Sequence, residues 1–294
     1  MKTKSNLKIL YVHFAVLMFG AAGLFGKLVS LPSIAITFGR VGFSSLFLLL
    51  FHIISRRSLH LKSGKHLFMM MLSGIILAAH WSVFYYSIQI STVAIGLLTS
   101  ATFPVFAAFL EPLVFHEKIK ASSLILVAFT LFGIILVTPG LDGGDYFWGA
   151  VCGVIAGALY AVLNLFNRYY SEQDYPAPLI ACYEQGIAAV VLFPVCLFTV
   201  TVSPSAKDLM LLAFLGIIFT GIGHTIFISG LKYIKVQTAG IISCMEPVYG
   251  TLFAAFFLSE IPSVREITGG IIILAVSAIS SLSPGKPVSR SENH

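Results

Sequence analysis

The chain has 294 residues, 57% of them hydrophobic and 10% charged. Its mean hydropathy of +0.95 excludes an ordinary water-soluble fold, in which about 25% of residues are charged. The net charge of +6 does not argue for a nucleic-acid partner, because the basic residues sit in short loops between apolar runs and act first as a topology signal.

A helix that crosses a bilayer needs about 20 mostly apolar residues. On that scale ten spans are predicted, over 9–28, 34–55, 66–89, 91–115, 121–138, 147–169, 177–201, 208–231, 236–257 and 263–282. The first run lacks a small-x-small cleavage site near its end, so it is expected to persist as a helix rather than serve as a signal peptide. Only Gln89-Ile90-Ser91-Thr92 separates the third span from the fourth. Short linkers predict one all-α integral membrane bundle without an attached soluble domain, followed by a disordered cytoplasmic tail over 283–294. Cys152, Cys182, Cys196 and Cys244 lie scattered in apolar stretches without CxxC spacing, so they read as buried thiols, with neither metal nor disulfide.

The basic residues test this count. With a cytoplasmic N-terminus, the inner side receives Lys2, Lys4, Lys8, Arg56, Arg57, Lys62, Lys65, Lys118, Lys120, Arg168, Lys232, Lys235, Lys286 and Arg290. The outer loops receive only Lys207 and Arg265, as the positive-inside bias requires. Both termini are therefore expected on the cytoplasmic side of the inner membrane. Lys27 and Arg40 lie near outer helix ends, where long side chains snorkel to the interface; for Arg40 the alternative is a salt bridge or the guidance of anions. Trp148, beside Tyr146 and Phe147, reads as an interfacial anchor.

An offset of 143 residues brings two segments into register: Phe84 falls on Phe227, Val93 on Val236, Ser100 on Ser243, Pro104 on Pro247 and Glu117 on Glu260. Each repeat would hold five spans, and an odd number inverts the second copy in the membrane. Pro104 and Pro247 lie near mid-span, where proline removes an i→i−4 hydrogen bond and bends the helix. The carbonyls freed are those of Ser100 and Ser243, which makes these four residues the candidate hinge. Gly149, Gly153 and Gly157 form a double GxxxG ladder, and Gly20, Gly23 and Gly26 a second small surface. Both read as packing faces, inside one chain or between protomers, so monomer and homodimer stay open.

The pattern resembles the EamA-type branch of the drug/metabolite transporter superfamily. The segments that carry the resemblance run from Phe84 to Glu117 (Phe103-Pro104, His116-Glu117) and from Phe227 to Glu260 (Glu246-Pro247, Ser259-Glu260). It covers the chain except its tail, with repeats over 1–140 and 141–282. The resemblance implies a secondary transporter that exports a small organic metabolite, such as an amino acid, by alternating access. It also implies a central cavity lined mainly by helices one, three, four, six, eight and nine. Small four-helix relatives couple to protons through a glutamate in their first helix. This chain has no acidic residue in its first or sixth span, so that device does not carry over.

An ionisable group inside a span costs about 2.5–3.5 kcal/mol on insertion scales, so each one requires a reason. Glu246, near the midplane, is the candidate for substrate recognition or proton coupling, against a structural hydrogen-bonded carboxyl. His80, Trp81 and Tyr85 form a candidate aromatic pocket with a hydrogen-bonding imidazole, and His224 lies at the symmetry-related depth. Asn164 is deep enough to line the path, whereas Asn167 reads as interfacial. Glu184 and Gln185 are expected to make helix-to-helix hydrogen bonds. Glu111, before Pro112, is placed to gate the inner mouth or to pair with Lys118; Glu117 and Glu260 read as structural helix ends.

A membrane-embedded enzyme should carry a cluster of His, Asp, Glu or Cys ligands, and a receptor or scaffold a soluble module. Neither pattern is present, and no Walker A sequence supplies ATP energy. The expected partners are a small-molecule substrate and the lipid bilayer, with protons as the candidate coupling ion and no cofactor.

Overall fold

A computed structural model describes residues 2–114, 121–138, 143–231 and 242–282, and every regular element among them is helical. The first span comprises α1 (Lys2–Gly23) and the short α2 (Phe25–Leu28), the second is α3 (Ser33–Ile54) and the third α4 (Gly64–Ile90). The fourth is split into α5 (Val93–Ser100) and α6 (Phe103–Val114), and the fifth is α7 (Ala121–Val137). The second half follows with α8 (Asp145–Glu172), α9 (Ala177–Thr199) and an eighth span made of α10 (Ala206–Phe214), a π-helical stretch (Leu215–Ile222) and α11 (Gly223–Leu231). The ninth contains α12 (Glu246–Leu258), and the tenth is α13 (Val264–Leu282). Seven crossings are long and apolar, and Ile125–Val137 and Glu246–Leu258 are shorter apolar helices.

Packing follows the repeat. α4 lies on α8, and the exchanged pair, first span on eighth, is formed by α1 and α11. Likewise α5 on α8 has its counterpart in α1 on α12, and α4 on α9 in α3 on the π-helical stretch. Three contacts map onto themselves: α3 with α9, α5 with α12, and α7 with α13. Ten helical crossings in two inverted sets of five account for this pattern.

The bundle buries polar groups within its apolar core and exposes large apolar side chains outside. Phe198, Phe256, Ile54 and Ile261 are exposed, while Arg40, His80, Gln185, His224 and Ser277 are buried. Such apolar exposure suits lipid, where burying hydrocarbon against protein brings little further gain. Helix ends are closed by side chains: Thr92 caps α5 through its hydroxyl and the Ile95 N–H, Glu260 accepts from the Val93 N–H at 2.9 Å, and Lys27 donates to the Ser91 carbonyl at 2.7 Å. Glu260 is thus a structural end group, and Glu117 lies outside the described residues.

The two prolines do something other than bend a continuous helix. The fourth span breaks at Ala101-Thr102 and the ninth at Cys244-Met245, leaving Pro104 and Pro247 as the second residues of α6 and α12. In a first turn the N–H has no helical partner, so proline is tolerated there. The backbone freed at the first break is partly satisfied from the tenth span, where Ser277 Oγ donates to the Ala101 carbonyl at 2.7 Å. Irregular backbone at membrane depth persists only where protein or a cavity satisfies it.

The small-residue faces pack within the chain. A Cβ on Gly157 would lie 2.8 Å from the Ser100 carbonyl, and one on Gly153 would collide with Thr99. A Cβ on Gly20 would lie 2.8 Å from both the Glu246 carbonyl and the Gly250 nitrogen. These are backbone atoms that cannot rotate away. Gly20→Val is therefore expected to destabilise the protein by about 1–3 kcal/mol through overpacking. Gly42→Ala, with open space around it, should not. Thermal unfolding in detergent checks both; equal midpoints would refute the close approach.

Candidate functional site

A cavity of about 60 Å³ lies at the centre of the bundle. Its wall takes Phe19 from α1, Arg40 from α3, His80 and Trp81 from α4, Ser100 at the end of α5, Tyr160 from α8, Thr220 and His224 from the eighth span, and Ser243, Glu246 and Pro247 at the break in the ninth. Spans one, three, four, six, eight and nine contribute as the resemblance implies. The second span adds Arg40.

Arg40 corrects the snorkelling expectation. It lies two turns inside α3, is only 4% exposed, and turns inward instead of reaching the interface. Gly216 permits this, because a Cβ there would lie 2.7 Å from the Arg40 carbonyl and from Phe43 Cβ, so α3 seats directly on the π-helical stretch. Arg40 Nε donates to Thr220 Oγ1 at 3.0 Å and Nη1 to the Tyr85 hydroxyl at 3.1 Å. Thr220 gives its own hydrogen to the Leu215 carbonyl, and Tyr85 gives its hydrogen to the Ala22 carbonyl. Trp81 completes the seat, with the guanidinium carbon 3.7 Å from its ring centroid, a cation–π contact worth about 0.5–2 kcal/mol. A guanidinium has five N–H donors, so three are left without a partner among the described residues.

Glu246 is the first residue of α12. Its carboxylate makes no hydrogen bond or ion pair among the described residues, yet it couples electrostatically to Arg40 from the same cavity wall. The cavity thus carries one guanidinium and one carboxylate that do not close on each other.

Two imidazoles complete the polar lining. His80 Nδ1 lies 2.9 Å from the Ala156 carbonyl. A carbonyl only accepts, so Nδ1 carries the hydrogen and Nε2 is left for the cavity. Tyr160 stacks on this ring at 5.1 Å and 18°. Gln185 Nε2 donates to His224 Nδ1 at 3.2 Å, and Gln185 Oε1 accepts from the Ser44 hydroxyl. Gln185 therefore joins α9 to α3 and α11 by the helix-to-helix bonding expected of it. His224 sits edge-on to Trp81 at 6.0 Å, so two residues matched by the repeat meet across the cavity.

The other sequence candidates fall outside this lining. Tyr85 is fully buried behind Arg40 and positions it. Asn164 bonds back to the Tyr160 carbonyl at 2.9 Å, and Pro104 packs one residue behind the lining Phe103. Asn167 is buried within the bundle, and Trp148 is exposed. The Glu111 side chain and Lys118 lie outside the described residues. Sequence reasoning missed Thr220, Tyr160 and the cavity role of Arg40. The signals available were a lone arginine seven residues into a span and the glycines Gly216, Gly221 and Gly223 at the π-helical stretch.

Comparison with known proteins gives concordant matches. The family model described as EamA-like transporter family matches residues 6–138 and 147–282. An uncharacterized transporter of Archaeoglobus fulgidus is 26% identical over 190 residues, covering 64% of this chain and 67% of that relative. The uncharacterized transporter YwfM of Bacillus subtilis is 23% identical over 291 residues, 96% of each chain. Human solute carrier family 35 member G1 is 23% identical, with 92% of this chain and 77% of that protein aligned. A solved crystal structure superposes with a TM-score of 0.67 at 16% identity, covering 94% of this chain and 95% of the other. That last likeness concerns the fold alone.

Proposed function

This chain belongs to the EamA-like transporter family, and on that premise we propose that it is a secondary carrier exporting a small zwitterionic metabolite, such as an amino acid, by alternating access. The observation that carries this reading is the pair Arg40 and Glu246, facing one cavity with donors and acceptors left uncommitted. A solute carboxylate fits the free guanidinium N–H groups, and its ammonium fits the Glu246 carboxylate. Buried charges require partners, and here a zwitterion supplies both at once.

Size supports a small cargo. One buried water needs about 10–15 Å³ of such space, so the 60 Å³ present holds a solute of roughly half a dozen non-hydrogen atoms. Trp81, Phe84 and Tyr160 offer apolar wall to its side chain. The breaks beside Ser100, Pro104, Ser243 and Pro247 give each repeat a place to bend next to the cavity, which is the geometry that rocking of one repeat against the other uses. Export rests on the family resemblance. Placement in the cytoplasmic membrane with both termini inside rests on the loop charges. Protons are the coupling ion proposed.

Purified protein in liposomes, loaded with mixed amino acids and with singly charged metabolites, tests the reading with and without a pH gradient. Saturable flux of a zwitterion that emerges chemically unchanged is the expected result. Flux of only singly charged or neutral solutes would overturn it. Within that assay Trp81→Ala is expected to weaken solute binding by about 2- to 30-fold, the range of a cation–π seat; equal binding to a solute panel would place the recognition elsewhere.

A further inference from the structure

Away from the cavity, α9 buries a second carboxyl. Glu184 is 0% exposed; among the described residues neither of its oxygens has a hydrogen bond of good geometry, and only the Ser73 hydroxyl is within reach. The hydroxyls around it are Ser73 of α4 and Tyr170 of α8, and their hydrogens are already committed. Tyr170 donates to Ser73 Oγ at 3.3 Å, and Ser73 Oγ donates to the Met70 carbonyl at 3.1 Å. Each hydroxyl has one hydrogen, so Ser73 can serve an ionised Glu184 only by giving up its bond to the Met70 carbonyl. A protonated Glu184 has a hydrogen to give, and Ser73 Oγ retains a lone pair to receive it.

Every helix packed on α9 bears this out. From α3 and α11 the neighbouring polar groups are Ser44 and His224, both joined to Gln185. From α8, Tyr160 and Tyr170 are the titratable groups that sense the Glu184 charge, and α4 brings Ser73. No lysine, arginine or second carboxylate couples to it among the described residues. A run of polar groups that starts one residue from Tyr170 leads to the surface. Tyr169, beside Tyr170, meets His66 Nε2 at 3.2 Å, His66 Nδ1 meets the Tyr175 hydroxyl at 2.6 Å, and that hydroxyl accepts from the exposed Lys62 backbone at 2.8 Å.

We propose that Glu184 carries the coupling proton, at a site separate from the solute-binding pair Arg40 and Glu246. The inference rests on the secondary-carrier reading above. In the step envisaged, the Glu184 carboxylate takes one proton from the aqueous side, and the new O–H donates to Ser73 Oγ. Release of that proton to the other side restores the carboxylate. Exposure of the group requires α4 and α9 to slide, because they touch closely at Gly74, where a Cβ would lie 2.7 Å from Ile187 Cβ. Gln185, the next residue, transmits that slide to His224 on the cavity wall.

Glu184→Gln keeps the neutral shape and removes the proton. In liposomes, pH-gradient-driven accumulation of the solute should be lost, while solute counterflow, which moves no net proton, persists. Infrared titration of the purified parent without solute should show a protonated-carboxyl band that is absent in Glu184→Gln and present in Glu246→Gln. Ser73→Ala, which spares the carboxyl, should move the midpoint of that band. Retained gradient-driven accumulation in Glu184→Gln, a persisting band, or an unmoved midpoint in Ser73→Ala would each overturn the assignment. Absence of any solute flux in the parent would sink the carrier reading instead, and the infrared titration would still decide whether Glu184 binds a proton.

Discussion

Arg40→Leu is expected to lower affinity for a carboxylate-bearing solute by at least about 30-fold. Truncating one partner of a buried, hydrogen-bonded charge pair costs about 2–5 kcal/mol, and each 1.4 kcal/mol is about tenfold. The two acceptors that hold Arg40 are not orphaned by its loss. Thr220 keeps its bond to the Leu215 carbonyl and Tyr85 its bond to the Ala22 carbonyl. Arg40→Lys should fall between, since a single ammonium cannot reproduce the planar fork that reaches Thr220, Tyr85 and a ligand together. A ligand-side control isolates the contact: the solute's amide, lacking the negative charge, should bind parent and Arg40→Leu equally weakly in calorimetric titration. Parent-like affinity of Arg40→Leu for the acid form would remove Arg40 from the site.

Glu246→Gln is expected to produce the complementary defect, a loss of at least about 30-fold for solutes bearing an ammonium. A des-amino analogue should bind variant and parent alike. The Glu246 side chain makes no hydrogen bond among the described residues, so glutamine in its place breaks none. Normal flux with an unchanged pH profile would exclude Glu246 from recognition and coupling alike. Combining Arg40→Leu with Glu246→Gln should cost less than the two single losses together, because both act on one bound zwitterion.

Much of the site was legible because polar groups are rare where hydrocarbon is the solvent. Glu246, His80 and His224 stood out against apolar surroundings, and the repeat put His224 at the depth that matches Trp81 before any packing was known. Arg40 was misread because its distance along α3 is within reach of the interface for a long side chain. Which way that side chain turns depends on Gly216 and on the π-helical stretch that presents Thr220. Pro104 and Pro247 announced irregular backbone, but sequence alone does not separate a kink from a break. The break follows from neighbours such as Ser277, which satisfies a freed carbonyl from another span. Asn164, read as path-lining, turns back to its own helix at Tyr160.

What the sequence determined by itself was the number of crossings, their inverted duplication and the family. Those properties are written in local hydrophobicity and in rare residues at a fixed offset, which need no knowledge of what touches what. Only the tertiary structure decided that Arg40 and Glu246 share a cavity while Glu184 is sealed away from it. The reason is that the wall is assembled from residues far apart in the chain, from Phe19 to Pro247. The direction in which each side chain points is set by the helix it meets there, not by its neighbours in sequence.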